Sequence, residues 1–437
     1  MRMAQLYQRK WLLIRLPVVV VAVITAMLMW VIENPMPPTT LSITTASPDG
    51  AYYRHAQRYA ERFAERGITL EVQASEGSQQ NVVRLRQADS PTDLAFIQGG
   101  FGYLGSSSDR RDRSRIETLA NVDVEAVWIF TRNREIESLT ELRGLRVAIG
   151  PEGSGSSKVA LKLLEQARMD TKDLTLLKVM GVAAIQALLQ NEVDVVLMVA
   201  PLESLAVQTI LGLPGIQLAN LRKSAAITER NPYLEPRLLA QSSLGTHMPS
   251  HDVTILTTPT NLVARENLHP TLKRMALAVA MEVHSGGGMF HRAGDFPSLR
   301  QIDFPTAPQA RDMLVHGLPL FERLLPFWWA QVLERILLII LPVTLVAVWL
   351  MQLIPAYFRL ALESRVNRWY GELKFIENDL SQEVLSGLDL TRYLSRLNGI
   401  DNTLQAFSCP KDLVARCYML HQHIEFVRQR LYSMRGR

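Results

Sequence analysis

Apolar and polar positions alternate in the chain on two different periods, and the order in which the periods change sets out its architecture. Leu41 and Ile43 alternate with Ser42 and Thr44 as a short strand, which Ala46-Ser-Pro-Asp-Gly50 interrupts. Tyr52, Ala56, Tyr59 and Phe63 then recur at helical spacing. Gly67 closes that helix, and Ile68, Leu70 and Val72 begin a second strand. Ala74-Ser-Glu-Gly-Ser78 breaks it, Asn81 to Arg86 returns to the helical period, and Thr92 to Ile97 makes a third strand ending at Gln98-Gly-Gly100.

A variant of this pattern recurs. Gly99 to Thr118 is polar and predicts a surface loop, Val122 to Thr131 a strand leaving one lobe for another, and Leu139 to Leu142 a helical turn. Arg146 to Ile149 is a strand running into Gly150-Pro-Glu-Gly-Ser-Gly-Ser-Ser157, with a helix after it. Strands over 174–179 and 193–198 follow, separated by a helix over 183–189, and the second strand ends at Ala200-Pro-Leu-Glu-Ser204. A strand from Asp252 to Val263 carries the chain back, and the remainder to Pro326 is predicted helical with a break at Ser285-Gly-Gly-Gly288. The expected fold class is α/β, with two like-built lobes over about 41–130 with 253–326 and about 131–252.

Three of these strands feed glycine- and serine-rich loops that open helices. The first N–H groups of a helix have no partner inside it and its dipole leaves that end partly positive, so such loops suit small anions. They also serve as ordinary turns of an α/β core. Lys158 follows Ser-Ser, so the Gly-Lys-Ser/Thr order of a nucleotide-binding loop is absent.

Leu16 to Ile32 is an uncharged run with Arg2, Arg9, Lys10 and Arg15 before it, too long for a signal-peptide core and without a cleavage site or lipidation cysteine after it. Ile336 to Ile354 is a second such run, flanked by Trp328, Trp329 and Tyr357 and followed by Arg359, Arg365, Arg368 and Lys374. The expectation is a cytoplasmic N-terminus over 1–15, a membrane anchor over 16–33, an exported domain over 41–326, a second span over 336–354 and a cytoplasmic helical tail over 356–437. That is a two-pass protein of the bacterial inner membrane with its main domain in the periplasm. The tail carries two apolar stripes, Leu362 to Leu380 and Leu413 to Val427, which suit a helical hairpin or self-association.

Charge and cysteine usage narrow the functional classes. Lys and Arg exceed Asp and Glu by only 47 to 42, so nucleic acid is not implied. Both cysteines, Cys409 and Cys417, lie in the tail, where reduced thiols are expected. His247-Met-Pro-Ser-His251 does not make a metal pair, because Pro249 prevents a helical spacing. No nucleophile elbow and no interpretable pair of carboxylates occur, so neither catalysis nor a cofactor is expected.

Ser42-Ile-Thr-Thr-Ala46 with Gly50-Ala-Tyr-Tyr53, Glu76-Gly-Ser78 with Asn81, Asp93-Leu-Ala-Phe-Ile-Gln98, Leu142-Arg-Gly144 with Val147-Ala-Ile-Gly150, Gly153-Ser-Gly155 and Val193-Asp-Val-Val196 appear in one order. In that order the chain resembles the TAXI family, the extracytoplasmic solute receptors of TRAP transporters, over Leu41 to Pro326. The resemblance implies a two-lobed periplasmic-binding-protein fold of the second type, closing on a small carboxylate such as glutamate or a related dicarboxylate, with a TRAP permease as partner. Carried over position by position, it implies that Thr45, Ser47, Gly50 and Tyr53 line one wall with Gly77, Ser78, Asn81 and Gln98, while Ser154, Gly155 and Ser156 face them and Pro201 lies at the edge.

Each glycine loop also carries an acid: Asp49, Glu76 and Glu152. Two readings stand side by side: the acids cap helix starts, or one or two meet a ligand's ammonium, in which case Asp49 and Glu76 belong to the site and an amino acid is favoured over a plain dicarboxylate. A free carboxylate would need a basic partner, for which Arg84 and Arg132 are the candidates. The alternatives in other classes are a structural or signalling envelope protein with a degenerate pocket, and an enzyme on the same fold.

Overall fold

The computed structural model describes residues 22–26, 29, 35–102, 115–222, 224–245, 248–380, 387–407, 409 and 413–435. The chain forms two compact units, 36–333 and a second made of 1–35 with 334–437.

The larger unit is built on one sheet in the order β2-β1-β3-β10-β4-β7-β5-β6. Strands β1 (Thr40–Thr44), β2 (Thr69–Gln73) and β3 (Leu94–Gln98) are parallel, Leu41 opposite Leu70 and Ile43 opposite Leu94. Helices α1 (Ala51–Ala64) and α2 (Ser78–Arg86) make their crossovers. Helix α1 buries Tyr52, Ala56, Tyr59 and Phe63, the residues its helical period selects. At the other end β5 (Arg146–Ala148) lies parallel to β6 (Thr175–Leu177) and β7 (Val195–Ala200), with helices α3 (Gly155–Gln166), α4 (Val182–Leu189) and α5 (Leu205–Leu211) beside them.

Two long antiparallel strands join these halves. Strand β4 (Ile116–Arg132) pairs with β7, and β10 (Val253–Arg265) pairs with β3 and β4. Both are buried along almost their whole length, as strands covered on both faces must be. Pro259 lies mid-way in β10, where it offers no N–H, and the ladder to β4 slips just beyond it, between Thr260 and Asn261. One hydrophobic core surrounds α1 and the helix α7 (Pro270–His284); two more cover the opposite faces of β5, β7 and the far half of β4.

The α/β class and the strand, loop and helix order follow the sequence pattern. Residues 285–307 depart from the predicted helix: three successive glycines, Pro297 and Pro305 leave an irregular stretch whose Ser298 and Pro305 carbonyls accept from Asn121 and Thr118 of β4. Helices α8 (Pro308–His316) and α9 (Leu320–Leu324) follow. Strand β4 begins at Ile116, inside the stretch expected as loop. The short β8 (Ile216–Leu218), α6 (Ser224–Arg230) and β9 (Glu235–Leu239) lack a clear period in the sequence.

The second unit is helical. Helix α10 runs over Phe327–Leu380, and its stretch Phe327–Val346 is long and apolar enough to cross a bilayer. Ile336, Leu338, Ile340, Leu341 and Leu345 are exposed along it. Most of the first expected anchor lies outside the described residues. Farther along, Val366, Leu373 and Ile376 pack with Leu394, Leu397 and Ile400 of α11 (Gly387–Ala406) and Leu420, Ile424 and Val427 of α12 (Val414–Arg435). Both apolar stripes therefore share a core with an intervening helix. Cys409 and Cys417, expected as separate reduced thiols, are joined as a disulfide, since both rest against this core.

Candidate functional site

A cavity of about 500 Å³ opens between the loops that follow β1, β2 and β3 and those that follow β5, β6 and β7. This volume falls within the range of pockets that enclose small molecules. Five helices begin at its wall: α1 at Gly50-Ala51, α2 at Gly77-Ser78, α3 at Ser154-Gly155, α4 at Gly181-Val182 and the short α5 at Ser204-Leu205. No side chain caps α1, α2 or α4, whereas Ser154 accepts from the Ser157 N–H at 3.2 Å and Ser204 from the Val207 N–H at 3.3 Å. Gly77 has φ of 122°, a conformation open to glycine and strained for other residues. With their dipoles directed at one volume, these starts make a region of positive potential out of neutral backbone.

Eleven of the residues expected at the site lie on this wall: Ser47, Asp49, Gly50, Glu76, Gly77 and Ser78 from the first two loops, Gln98 at the end of β3, and Ser154, Gly155, Ser156 and Pro201 opposite. The facing loops are in contact. A Cβ on Gly77 would lie 3.6 Å from Ser154 Cα, and the Gln98 Nε2 donates to the Gly155 carbonyl at 3.5 Å.

Three expected residues lie elsewhere. Thr45 is fully buried and its hydroxyl donates to the Gln73 carbonyl. Asn81 is equally buried: its Nδ2 donates to the carbonyls of Thr45 and Phe96 at 2.6 and 2.9 Å, and its Oδ1 accepts from Thr44 and Ser75. It ties the first loops together behind the wall. Tyr53 does not line the cavity; its neighbour Tyr52 does, because Tyr52 occupies the buried face of α1.

The capping expectation fails for the acids. None of them caps: the cap residues are Gly50, Gly77 and Ser154. Asp49 and Glu76 are exposed at the cavity rim, and Glu152 is drawn away to Lys178 at 2.7 Å, which holds its carboxyl below the ordinary range. Arg84 and Arg132, expected as basic partners, are held by backbone carbonyls, Arg84 by Ala74 and Arg132 by Leu189, and neither reaches the wall. Among the described residues, the lining contains no Lys, Arg or His.

Glu125 escaped the sequence reading. It stands on β4, 5 % exposed, and contributes to the cavity wall. Its Oε1 accepts from the Thr260 hydroxyl at 3.0 Å. Burial pushes its carboxyl up to about 8 against the pull of its hydrogen-bonding neighbours, and the nearby Asp123 adds to the rise. Tyr52 lies close by, its phenol held well above its ordinary value by burial and by Glu125; its hydroxyl has no partner at hydrogen-bonding geometry. The signal that could have found this residue is the pair Asp123 and Glu125 inside an otherwise apolar strand. The cavity also has an apolar side, formed by Met180, Val182, Met198, Val199 and Leu205. Among the described residues no three His, Cys, Asp or Glu side chains are grouped to hold a metal ion.

Among solved structures, the periplasmic aliphatic sulphonate binding protein SsuA from Escherichia coli aligns at 15 % identity over 57 % of this chain and 73 % of its own, with a TM-score of 0.36. A protein from Bordetella bronchiseptica RB50 aligns at 13 % identity over 65 % and 91 %, TM-score 0.40. An ancestral arginine-binding protein bound to arginine aligns at 15 % over 57 % and 94 %, TM-score 0.33. No curated protein matches the sequence. The sequence pattern of the NMT1-like family matches residues 43–274, which take in every residue of the cavity wall and more than half of the chain. By that match the chain belongs to the NMT1-like family.

Proposed function

We propose that this protein is an extracytoplasmic solute-binding receptor of the TAXI kind, tethered to the bacterial inner membrane and closing two lobes on a small carboxylate or amino acid. The observation that carries the reading is the convergence of five helix starts from both halves of the sheet on one cavity. An anionic group placed there meets unpaired N–H donors from both sides, so binding stabilises the closed arrangement relative to an open one. The lobes correspond to about 41–130 with 253–326 and to about 131–252, and β4 and β10 are the strands about which they would hinge.

The topology proposed is two-pass with both termini cytoplasmic. The exposed apolar stretch of α10 supports the second span, and the basic residues that follow it support the orientation. Output would pass to a TRAP permease or other inner-membrane protein, or through the span to the packed tail helices, which favour sensing or self-association. In intact cells a single cysteine placed on the exposed tail position 433 (Ser433→Cys, with Cys409→Ser and Cys417→Ser) should stay unlabelled by a membrane-impermeant maleimide and be labelled by a permeant one; labelling by the impermeant reagent would reverse the orientation.

The receptor reading is tested by thermal melts of the full chain in detergent against panels of carboxylates, amino acids and amines. At least one compound should raise Tm by several degrees, and Ser78→Trp, which fills the cavity, should abolish the rise. Silence across all panels would end the reading.

A further inference from the structure

We infer that Glu125 sets the specificity of this cavity, and that the solute is a monocarboxylate bearing a cationic nitrogen and an apolar body. The inference rests on the receptor reading and narrows its ligand class. Three observations carry it.

The first is the charge of the wall. Among the described residues, Asp49, Glu76 and Glu125 are the only carboxylates in its lining, and the lining holds no Lys, Arg or His. A dicarboxylate would have one carboxylate for the helix starts and a second with no cationic side chain in the lining to meet it, close to other acids, which is unfavourable at short range. The second is the position of Glu125. A carboxyl that is 5 % exposed and bonded by the neutral Thr260 hydroxyl is costly to ionise without a cation, and the solute is the available source. Tyr52, 7 % exposed, stands beside it on the same wall. The third is the apolar side formed by Met180, Val182, Met198, Val199 and Leu205, which suits an alkyl or thioether group and offers nothing to a second charge.

The binding step conserves charge and protons. Glu125, protonated in the empty cavity near neutral pH, gives up its proton to solvent as the ammonium arrives, and the carboxylate then accepts hydrogen bonds from that ammonium. The solute's own carboxylate meets the amides at the starts of α2 and α3. Binding should therefore release close to one proton.

The test uses the full chain in detergent and three panels: the apolar amino acids alanine, valine, leucine, methionine and phenylalanine; their 2-oxo acids; and succinate and glutarate. At least one amino acid should bind, and its 2-oxo partner should bind about tenfold or more weakly. Glu125→Gln should weaken the amino acid by about tenfold and leave the 2-oxo acid within about threefold. Calorimetry of the unsubstituted chain in two buffers of different ionisation enthalpy should show about one proton released at neutral pH, a readout that stands even where Glu125→Gln does not fold. Equal binding of a 2-oxo acid or a dicarboxylate, or no proton release, overturns the role of Glu125 and leaves the receptor reading intact. Silence of all three panels counts against the receptor reading itself.

Discussion

The hydroxyl of Thr260 donates to Oε1 of Glu125 at 3.0 Å, joining β10 to β4 at the cavity wall. The bond lies beside the slip in the ladder between the same two strands, so one side-chain contact bridges the point where regular backbone pairing is lost. Thr260→Val keeps the shape and removes the donor. Urea melts should show a loss of about 1 kcal/mol. The carboxylate also loses a group that stabilises its charge, so the pH at which Glu125 ionises should rise. An unchanged melt together with an unchanged pH profile would show that the contact contributes nothing.

Stability should fall as pH rises from about 6.5 to 8. Glu125 is raised to about 8 by burial, so across that window the folded state holds a proton that the unfolded chain has already released. The sign follows directly: the contribution is complete below the unfolded value and is lost as pH climbs through the folded one. His55, lowered to about 4 by burial and by Arg58 and Arg54, acts in the opposite sense below 6.5, as does His284. Asp123, raised to about 6 by burial, partly offsets them there. Above 6.5 the carboxyl of Glu125 stands apart from these groups. Thermal melts across pH 6.5 to 8 should therefore slope downward for the native chain and run flat for Glu125→Gln.

Lys273 is 3 % exposed and its Nζ lies 2.5 Å from Glu117 Oε2 and 2.7 Å from the Glu266 carbonyl, holding α7 to the start of β4. Lys273→Met leaves the Glu117 carboxylate partly buried beside an apolar chain, which should cost about 3–5 kcal/mol. Adding Glu117→Gln removes the stranded charge and should recover most of that loss. Urea melts of both variants decide the matter. If the double variant is as unstable as the single one, packing of the lysine stem matters more than its charge.

How far the sequence revealed this arrangement depends on whether the signal was local. The strand and helix periods around Leu41, Tyr52 and Val147 are short-range, and the structure follows them. The loops of Gly50, Gly77 and Gly155 are equally local, since glycine and serine beside a helix start are visible from a few positions. The start of α4 at Gly181 was not, because Gly181-Val-Ala-Ala184 carries no polar cap residue. Asn81 and Thr45 illustrate the converse: polar residues near the site that spend their hydrogen bonds on backbone carbonyls look the same in sequence as residues facing a ligand. Tyr52 rather than Tyr53 lines the cavity, and on a helix that one position is about 100° of rotation. Glu125 needed the knowledge that β4 is covered on both faces, which arises only once β7 and β10 flank it.

Contact between the facing walls can be tested at Gly155 and Gln98. A Cβ on Gly155 would lie 2.1 Å from Gln98 Oε1, an overlap that must displace the glutamine amide. Gln98 is 3 % exposed and its backbone N–H donates to the Ser78 hydroxyl at 2.9 Å, which fixes the end of β3 from which its side chain reaches the facing wall. Gly155→Ala should therefore hold the walls apart and weaken any solute that raises Tm by about tenfold. Gln98→Ala vacates the space, so the double variant Gln98→Ala/Gly155→Ala should bind more tightly than Gly155→Ala alone. Additive losses in that cycle would place the two residues out of contact during binding and remove the closed cleft from the account.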